Sequence, residues 1–235
     1  MKIKYALLSA VAALALGGPA HAALTLNALV GGAPTGVNYE SFDSLPLGAA
    51  GGAVGGGLSV NFTPDAQAVQ GASNGFYAAP FISNSNGLPF GDNTVSGADG
   101  TTYITSGSTA GGVGSAKVEL VFTTLQQYFG LLWGSVDAYN RLEFFDGATS
   151  VGVLTGADVT AAANGDQGVN GTYYVNINST LSFNRVVATS TSYAFEFDNV
   201  AFNTTQVPVP EPASMALFGA GLLGLGFAAR RRRRS

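Results

Sequence analysis

Short runs of β-forming residues, separated by Gly, Asn, Ser and Asp, fill the chain between residues 23 and 206. Apolar and polar side chains alternate within several of these runs. In 117–122, for example, Val118, Leu120 and Phe122 share one face of the expected strand. Many short strands with turn residues at this spacing predict an all-β domain, which we expect to be a single β-sandwich of the jelly-roll type.

The predicted strands are 24–30, 37–42, 58–62, 101–105, 115–123, 128–136, 141–146, 150–155, 173–178, 184–189 and 193–203. Residues 156–165 are expected to hold at most one short helical turn. Two segments rich in Gly, Ser, Ala and Asn, 46–57 and 83–114, are expected to be long loops at one end of the sandwich, because patterned strands resume after each of them.

The C-terminal residues have a different organisation. Residues 207–212 contain three prolines, which keep the backbone extended and accessible. The apolar run 213–229 carries no charge and would span roughly 26 Å as a helix, close to the bilayer core of about 30 Å. Five arginines follow and cannot cross a hydrocarbon core. We therefore predict a transmembrane helix over 213–229, with the C-terminus in the cytoplasm and the preceding chain outside.

A Pro-Glu-Pro motif, a short apolar helix and a terminal arginine cluster, in that order, resemble the PEP-CTERM sorting signal of bacterial exosortase substrates. The resemblance covers residues 207–235 and depends on Pro210, Glu211, Pro212, Arg230, Arg231, Arg232, Arg233 and Arg234. It implies that an exosortase, a membrane-embedded cysteine transpeptidase, recognises the motif and removes the tail. The product would then reach the cell surface or the extracellular matrix of a bacterium that makes exopolysaccharide. The alternative is an ordinary C-terminal membrane anchor, which does not need the proline motif.

The first 22 residues have the organisation of a secretory signal peptide. Two lysines precede an apolar run over 5–16, and Ala20 and Ala22 form a small-residue cleavage box. We expect the Sec export machinery to translocate the chain and the mature protein to begin at Ala23. A first transmembrane helix would need a longer apolar run. The ectodomain is therefore expected to cover residues 23–206.

This ectodomain is strongly acidic. It holds three of the ten Lys and Arg residues and thirteen of the fourteen Asp and Glu residues, for a formal charge of −10. Nucleic acid phosphates would be repelled by such a domain, so nucleic acid is excluded as a partner. The same carboxylates are available to divalent cations.

The ectodomain also lacks several reactive side chains. The chain has no cysteine, and its single histidine, His21, lies in the predicted signal peptide. Disulfides, Ser-His and Cys-His nucleophile pairs and zinc sites of the usual kind are therefore excluded.

Two segments resemble sequences that recur in the β-sandwich ectodomains of PEP-CTERM proteins. The first has the form W-G-S-x-D-x-x-N and covers residues 133–140, and the second, F-E-F-D-N-V, covers residues 195–200. In the second, Phe195 and Phe197 are expected to face the core, with Glu196 and Asp198 on the other face. The resemblance implies a type of ectodomain and no particular activity.

Within these segments, Trp133, Asp137 and Asn140 are candidate ligand contacts. Trp133 is expected to be a core residue, and the alternative is a stacking platform for a sugar ring, which requires an exposed indole. For Asp137 and Asn140 the expected role is turn stabilisation, since Asx side chains tighten loops. The competing hypothesis for both is a metal site or a site for sugar hydroxyl groups.

A structural calcium ion is a further hypothesis, with Glu40, Asp43 and Asp198 as its ligands. In jelly-roll carbohydrate-binding modules, calcium often ties an N-terminal strand to the last strand. Calcium takes six to eight hard oxygen ligands, but this chain has no contiguous calcium loop.

An enzyme with glycosidase chemistry would need two carboxylates about 5 to 9.5 Å apart in a cleft. Glu143 with Glu196, or Glu119 with Glu143, qualify by residue type alone. Thirteen acidic residues produce such pairs by chance, so we expect these glutamates to lie on solvated strand faces. We therefore predict a protein that is not an enzyme and that associates with exopolysaccharide, or biofilm, outside the cell. The alternative is a lectin-like carbohydrate-binding module, and more remotely a glycosidase or lyase.

Overall fold

The computed structural model describes residues 24–83, 90, 96–107 and 116–208. The predicted signal peptide, the apolar run 213–229 and the arginine cluster lie outside these residues. In the part of the chain that is described, no helix is long and apolar enough to cross a membrane.

The described residues form thirteen strands. Their bounds are β1 Leu24–Leu29, β2 Asn38–Glu40, β3 Gly52–Ala53, β4 Leu58–Phe62, β5 Ala66–Val69, β6 Phe81–Ile82, β7 Gly97–Ala98, β8 Tyr103–Ser106, β9 Lys117–Gly134, β10 Asn140–Asp146, β11 Thr149–Thr155, β12 Tyr173–Ser190 and β13 Phe195–Asn203. A 3-10 turn covers Gly55–Gly57, and the single helical turn α1 covers Gly156–Val159.

Eleven of these strands belong to one antiparallel sheet. Its main path runs β11-β10-β12-β9-β13-β8-β5. Branching from this path, β1 pairs with β12, β2 with β13, β4 with β9 and β3 with β4, while β6 and β7 form a separate pair. Most strands that are neighbours in this order are not consecutive in the chain. Segments that are distant in sequence therefore meet in the middle of the sheet.

The two central strands, β9 and β12, are 18 residues long and bend. The first part of β9 pairs with β4 and its last part with β13, while β12 pairs with β1 through its first part and with β10 through its last. The register between β9 and β12 shifts after Asn178 and again after Phe183. Because a bulge bends a strand and increases its twist, these shifts let the sheet fold over on itself.

Aromatic side chains fill the space between the two layers of the folded sheet. The ring of Phe129, in the last part of β9, lies 6.0 Å from that of Phe144 on β10. Phe122, in the first part of β9, lies 5.1 Å from Phe202 on β13. The alternation expected in 117–122 is also present, since the three apolar residues of that run are buried. The predicted all-β fold is confirmed.

The strands differ from the prediction in two ways. The structure joins 115–123 with 128–136 into β9, and 173–178 with 184–189 into β12, because residues 124–127 and 179–183 continue the strands through the bend. The short strands β3, β5, β6 and β7 were not predicted. Each has at most four residues, and three of them, β3, β5 and β7, consist of Gly, Ala, Gln and Val, which give little strand signal. Pairing with other strands forms them, as when Ala66 lies opposite Ser106.

Candidate functional site

An open cleft of about 610 Å³ lies where β9 ends and β13 begins. Four segments surround it: residues 72–78, the turn after β9, residues 164–167 and the start of β13. Four of its lining residues come from the two motif segments of the sequence, namely Ser135, Asp137, Tyr139 and Glu196.

Strand pairing brings the two motifs together. In the antiparallel register of β9 with β13, Gly134 lies opposite Glu196 and Trp133 lies opposite Phe197. The indole of Trp133 stacks on the ring of Phe195, with ring centroids 4.4 Å apart and planes 23° apart. Trp133 is completely buried. It is therefore a core residue, and the hypothesis that it stacks on a sugar is wrong because no face of its ring is accessible.

Glu196 is buried beneath the cleft although it occupies the face of β13 expected to meet solvent. Its side chain accepts hydrogen bonds from the Ala78 N–H at 2.9 Å and from the Ser135 hydroxyl at 2.6 Å. Only 2% of the residue is exposed. Burial raises the pKa of the carboxyl group to about 7, against the opposing effect of its hydrogen bonds. Glu196 therefore changes its charge near neutral pH.

Local backbone conformation presents the Ser135 hydroxyl to Glu196. Ser135 has a φ of +37°, a region that residues with a Cβ seldom occupy. This conformation ends β9 and starts the turn that leads to Asp137. Such outliers persist only where the surrounding contacts hold them, and they concentrate at functional sites.

Asp137 lies in the wall of the cleft and is half-buried. Its Oδ2 lies 2.7 Å from the Tyr139 hydroxyl, which also lies 2.5 Å from the carbonyl oxygen of Tyr193. Burial raises the pKa of Asp137, and the hydrogen bond from Tyr139 partly offsets this effect. Gly165, at a φ of +73°, lies against the carboxylate, where an added Cβ would be 3.0 Å from both oxygens. Of the predicted ligand contacts, Asp137 is the one that the structure places in the cleft wall.

The side chain of Asn140 has a structural role. It is completely buried, its Nδ2 donates to the Ala194 carbonyl at 3.0 Å, and its Oδ1 accepts from the Ser190 hydroxyl at 2.7 Å. Its side chain therefore ties the start of β10 to the residue before β13. This supports the turn role, and a direct contact between Asn140 and a ligand is wrong because both ends of the amide are enclosed.

The structure does not bring the three predicted calcium ligands together. Glu40 accepts from the backbone N–H groups of Phe42 and Gly55, at 3.1 and 2.7 Å. Asp43 accepts from the Ser41 hydroxyl and from the N–H of Thr102. Asp198 is completely buried in β13. Within the described ranges, no three Asp, Glu, His or Cys side chains lie close enough to hold a metal ion.

Of the three glutamates that qualify by residue type for glycosidase chemistry, Glu196 lines the cleft, whereas Glu119 and Glu143 lie elsewhere. Glu143 on β10 forms an ion pair with Arg141 at 2.6 Å, and Glu119 on β9 pairs with Arg185 at 3.2 Å. Neither of these glutamates lines the cleft. The two acids that share the cleft are Asp137 and Glu196. Both belong to motif segments, which is the one signal in the sequence that could have paired them.

Comparison with known families gave a match near the C-terminus. The model described as the PEP-CTERM protein-sorting motif matches residues 208–233. Comparison with curated proteins and with solved structures gave no significant match. The resemblance of the C-terminal residues to the PEP-CTERM sorting signal is confirmed. The matched motif indicates an exported, membrane-anchored precursor that an exosortase processes.

Proposed function

We propose that this chain, with its PEP-CTERM sorting motif, is an exported cell-surface or matrix protein that binds exopolysaccharide in the cleft between Asp137 and Glu196. The precursor is anchored in the membrane through 213–229 and released when the exosortase acts at the Pro-Glu-Pro motif. The folded sandwich then works outside the cell without catalysing a reaction.

The lining of the cleft is the observation that supports polysaccharide binding. Partly exposed aromatic rings, on Phe76, Tyr77, Tyr139 and Tyr193, surround a polar floor. Exposed amide groups come from residues 164 and 167. Aromatic faces cover the apolar faces of a sugar ring, while amides and carboxylates exchange hydrogen bonds with its hydroxyl groups. The cleft is large enough for a ligand of a few sugar units.

The charge of the cleft selects among polysaccharides. Among the described residues, its lining includes two carboxylates and no Lys or Arg. The whole ectodomain carries a formal charge of −10. The cleft carboxylates and the acidic ectodomain would both repel uronate or sulfated polymers. A neutral polymer, or one with free amino groups, therefore fits the cleft better.

A second candidate function, glycoside hydrolysis, is favoured by one observation. Asp137 and Glu196 share the cleft, and the pKa of Glu196 is raised to about 7, which suits a general acid at neutral pH. The hydrogen bonds from Ala78 and Ser135 argue against it, because they occupy both carboxylate oxygens of Glu196.

The test uses secreted, processed protein and three polymers: a neutral glucan, a uronate-containing polymer and a partly deacetylated amino polysaccharide. We expect binding to the first or third and none to the second. Asp137→Ala should raise the Kd by about tenfold, while the control Glu143→Gln, a carboxylate outside the cleft, should leave it unchanged. Equal Kd values for Asp137→Ala and the parent protein would exclude the cleft. New reducing ends on incubation would establish the hydrolase instead.

A further inference from the structure

The residues directly before the sorting motif are fastened to the sandwich by one asparagine. The Val207 N–H donates to Asn178 Oδ1 at 2.9 Å, and Asn178 Nδ2 donates to the Val207 carbonyl at 2.8 Å. The side chain of Asn178 therefore pairs with the backbone of Val207 as a neighbouring strand would. One residue earlier, Gln206 Nε2 donates to the Ser179 carbonyl at 2.9 Å. These three hydrogen bonds are called the Asn178 clamp below.

Packing supports the clamp. Val207 is 8% exposed and belongs to a small buried cluster with Tyr128, Tyr174 and Leu132. The chain is thus held to the domain up to Val207, and the matched sorting motif begins at the next residue.

The position of the clamp follows from the bend in the central strands. Asn178 is the last residue of β12 to pair with β9 before the register shifts. Beyond this point the backbone of β12 leaves β9, so the Ser179 carbonyl is available to Gln206. Two large apolar side chains are exposed at the same bend, Leu125 at 48% and Leu181 at 44%.

The clamp leaves little free chain before the motif. Four residues lead from Val207 to Glu211, and an extended chain spans at most about 3.6 Å per residue, so the two lie within about 14 Å of each other. A transpeptidase that acts on the Pro-Glu-Pro motif must therefore approach the sandwich at the bend. Exposed leucines there suit contact with a partner set in a membrane.

We propose that the Asn178 clamp positions the sorting motif for the exosortase, which engages the motif together with the bend that carries Leu125 and Leu181. Asn178 is a positioning residue and does not contact the scissile bond. The inference rests on the sorting part of the proposed function and is independent of polysaccharide binding.

The test follows the full-length chain in a host that contains an exosortase, by pulse-chase measurement of the conversion of precursor to processed protein. Loss of two neutral hydrogen bonds should favour the detached segment by about fivefold or more. We therefore expect Asn178→Ala to slow conversion by about fivefold or more. Asn184→Ala is the matched control, since Asn184 lies on the same strand and its side chain accepts from the Gly147 N–H instead. It should convert at the parental rate.

Two further variants separate the possible outcomes. Glu211→Ala removes the carboxylate of the motif, and normal conversion of this variant would overturn the sorting premise itself. If Glu211→Ala accumulates precursor while folded Asn178→Ala converts at the parental rate, the clamp proposal alone is overturned. Should Asn178→Ala fail to accumulate as folded protein, Val207→Pro decides, because it removes the N–H donated to Asn178 and leaves the strands intact. Slow conversion of Val207→Pro supports the clamp, and parental conversion excludes it.

Discussion

Glu196 accepts a hydrogen bond of 2.6 Å from the Ser135 hydroxyl, and this contact joins the two motif segments at the edge of the cleft. Ser135 directly follows β9, and Glu196 is the second residue of β13, sixty-one residues later. The same carboxylate accepts from the backbone of Ala78, so it also holds segment 72–78, which lines the cleft. Glu196 thus links three parts of the chain.

The stability of the domain should depend on pH through Glu196. Its pKa is raised from 4.5 to about 7 in the folded protein, so the folded state binds the proton more tightly than the unfolded state does. The proton on Glu196 stabilises the folded state in full below pH 4.5. This stabilisation, about 3 kcal/mol, is lost as the pH rises from 4.5 to 7. Urea unfolding of the processed protein between pH 4.5 and 8 measures this slope. Glu196→Gln should flatten it, and an unchanged slope in that variant would assign the effect to another group.

Removal of the Ser135 hydroxyl should destabilise the site. Ser135→Ala leaves one oxygen of a buried carboxyl group without its side-chain donor, which costs about 1–3 kcal/mol. It should also raise the pKa of Glu196 further, because that hydrogen bond lowers it. Urea unfolding at pH 7.5 gives the cost, and Ser150→Ala on β11 is a matched control away from the cleft. Equal losses in the two variants would show that the contact contributes nothing specific.

Much of the sheet could be predicted because local alternation decides which side chains face a core. The run 117–122 is an example, with its apolar residues inside. The burial of Glu196 could not be predicted. The strand that carries it was predicted correctly, but residues 78–80 cover the face of that strand on which Glu196 lies. Pro80 packs so closely on Gly134 that a Cβ added to Gly134 would lie 3.0 Å from Pro80. An irregular segment has no periodic pattern, so the sequence does not reveal that it covers a strand face.

The candidate site was predictable in its parts and not in its assembly. Asp137 and Glu196 both stood in segments that the sequence singled out, yet only the register of β9 with β13 brings those segments together. The same limitation explains Trp133. An aromatic residue in a strand fits either an exposed platform or a core position, and its contact with Phe195 decides for the core.

Trp133 should matter for stability and little for ligand contact. Trp133→Ala removes a fully buried side chain stacked on Phe195, which should cost about 3–5 kcal/mol. Chemical denaturation measures the loss. Protein that remains folded should keep the parental Kd for polysaccharide, because the indole is enclosed. A large rise in Kd at full folding would contradict the core assignment.

The mature protein should lack both ends of the precursor. We expect it to start at Ala23 and to end near residues 210–212, where we predict that a signal peptidase and the exosortase cleave the precursor. Intact-mass spectrometry of material outside the cell gives both ends. Extracellular protein that retains the arginine cluster would contradict the processing scheme.

The arginine cluster should orient the apolar run 213–229, which we predict to span the membrane. Five positive charges end the chain after an uncharged apolar run, and positive residues favour the cytoplasmic side of a membrane. Replacing residues 230–234 with serine removes this bias, so a C-terminal epitope tag should become partly accessible to protease added from outside. The matched control replaces them with lysine, which keeps the charge and should keep the tag protected. If the serine variant is as well protected as the lysine variant and is processed at the same rate, the apolar run orients itself without the arginines.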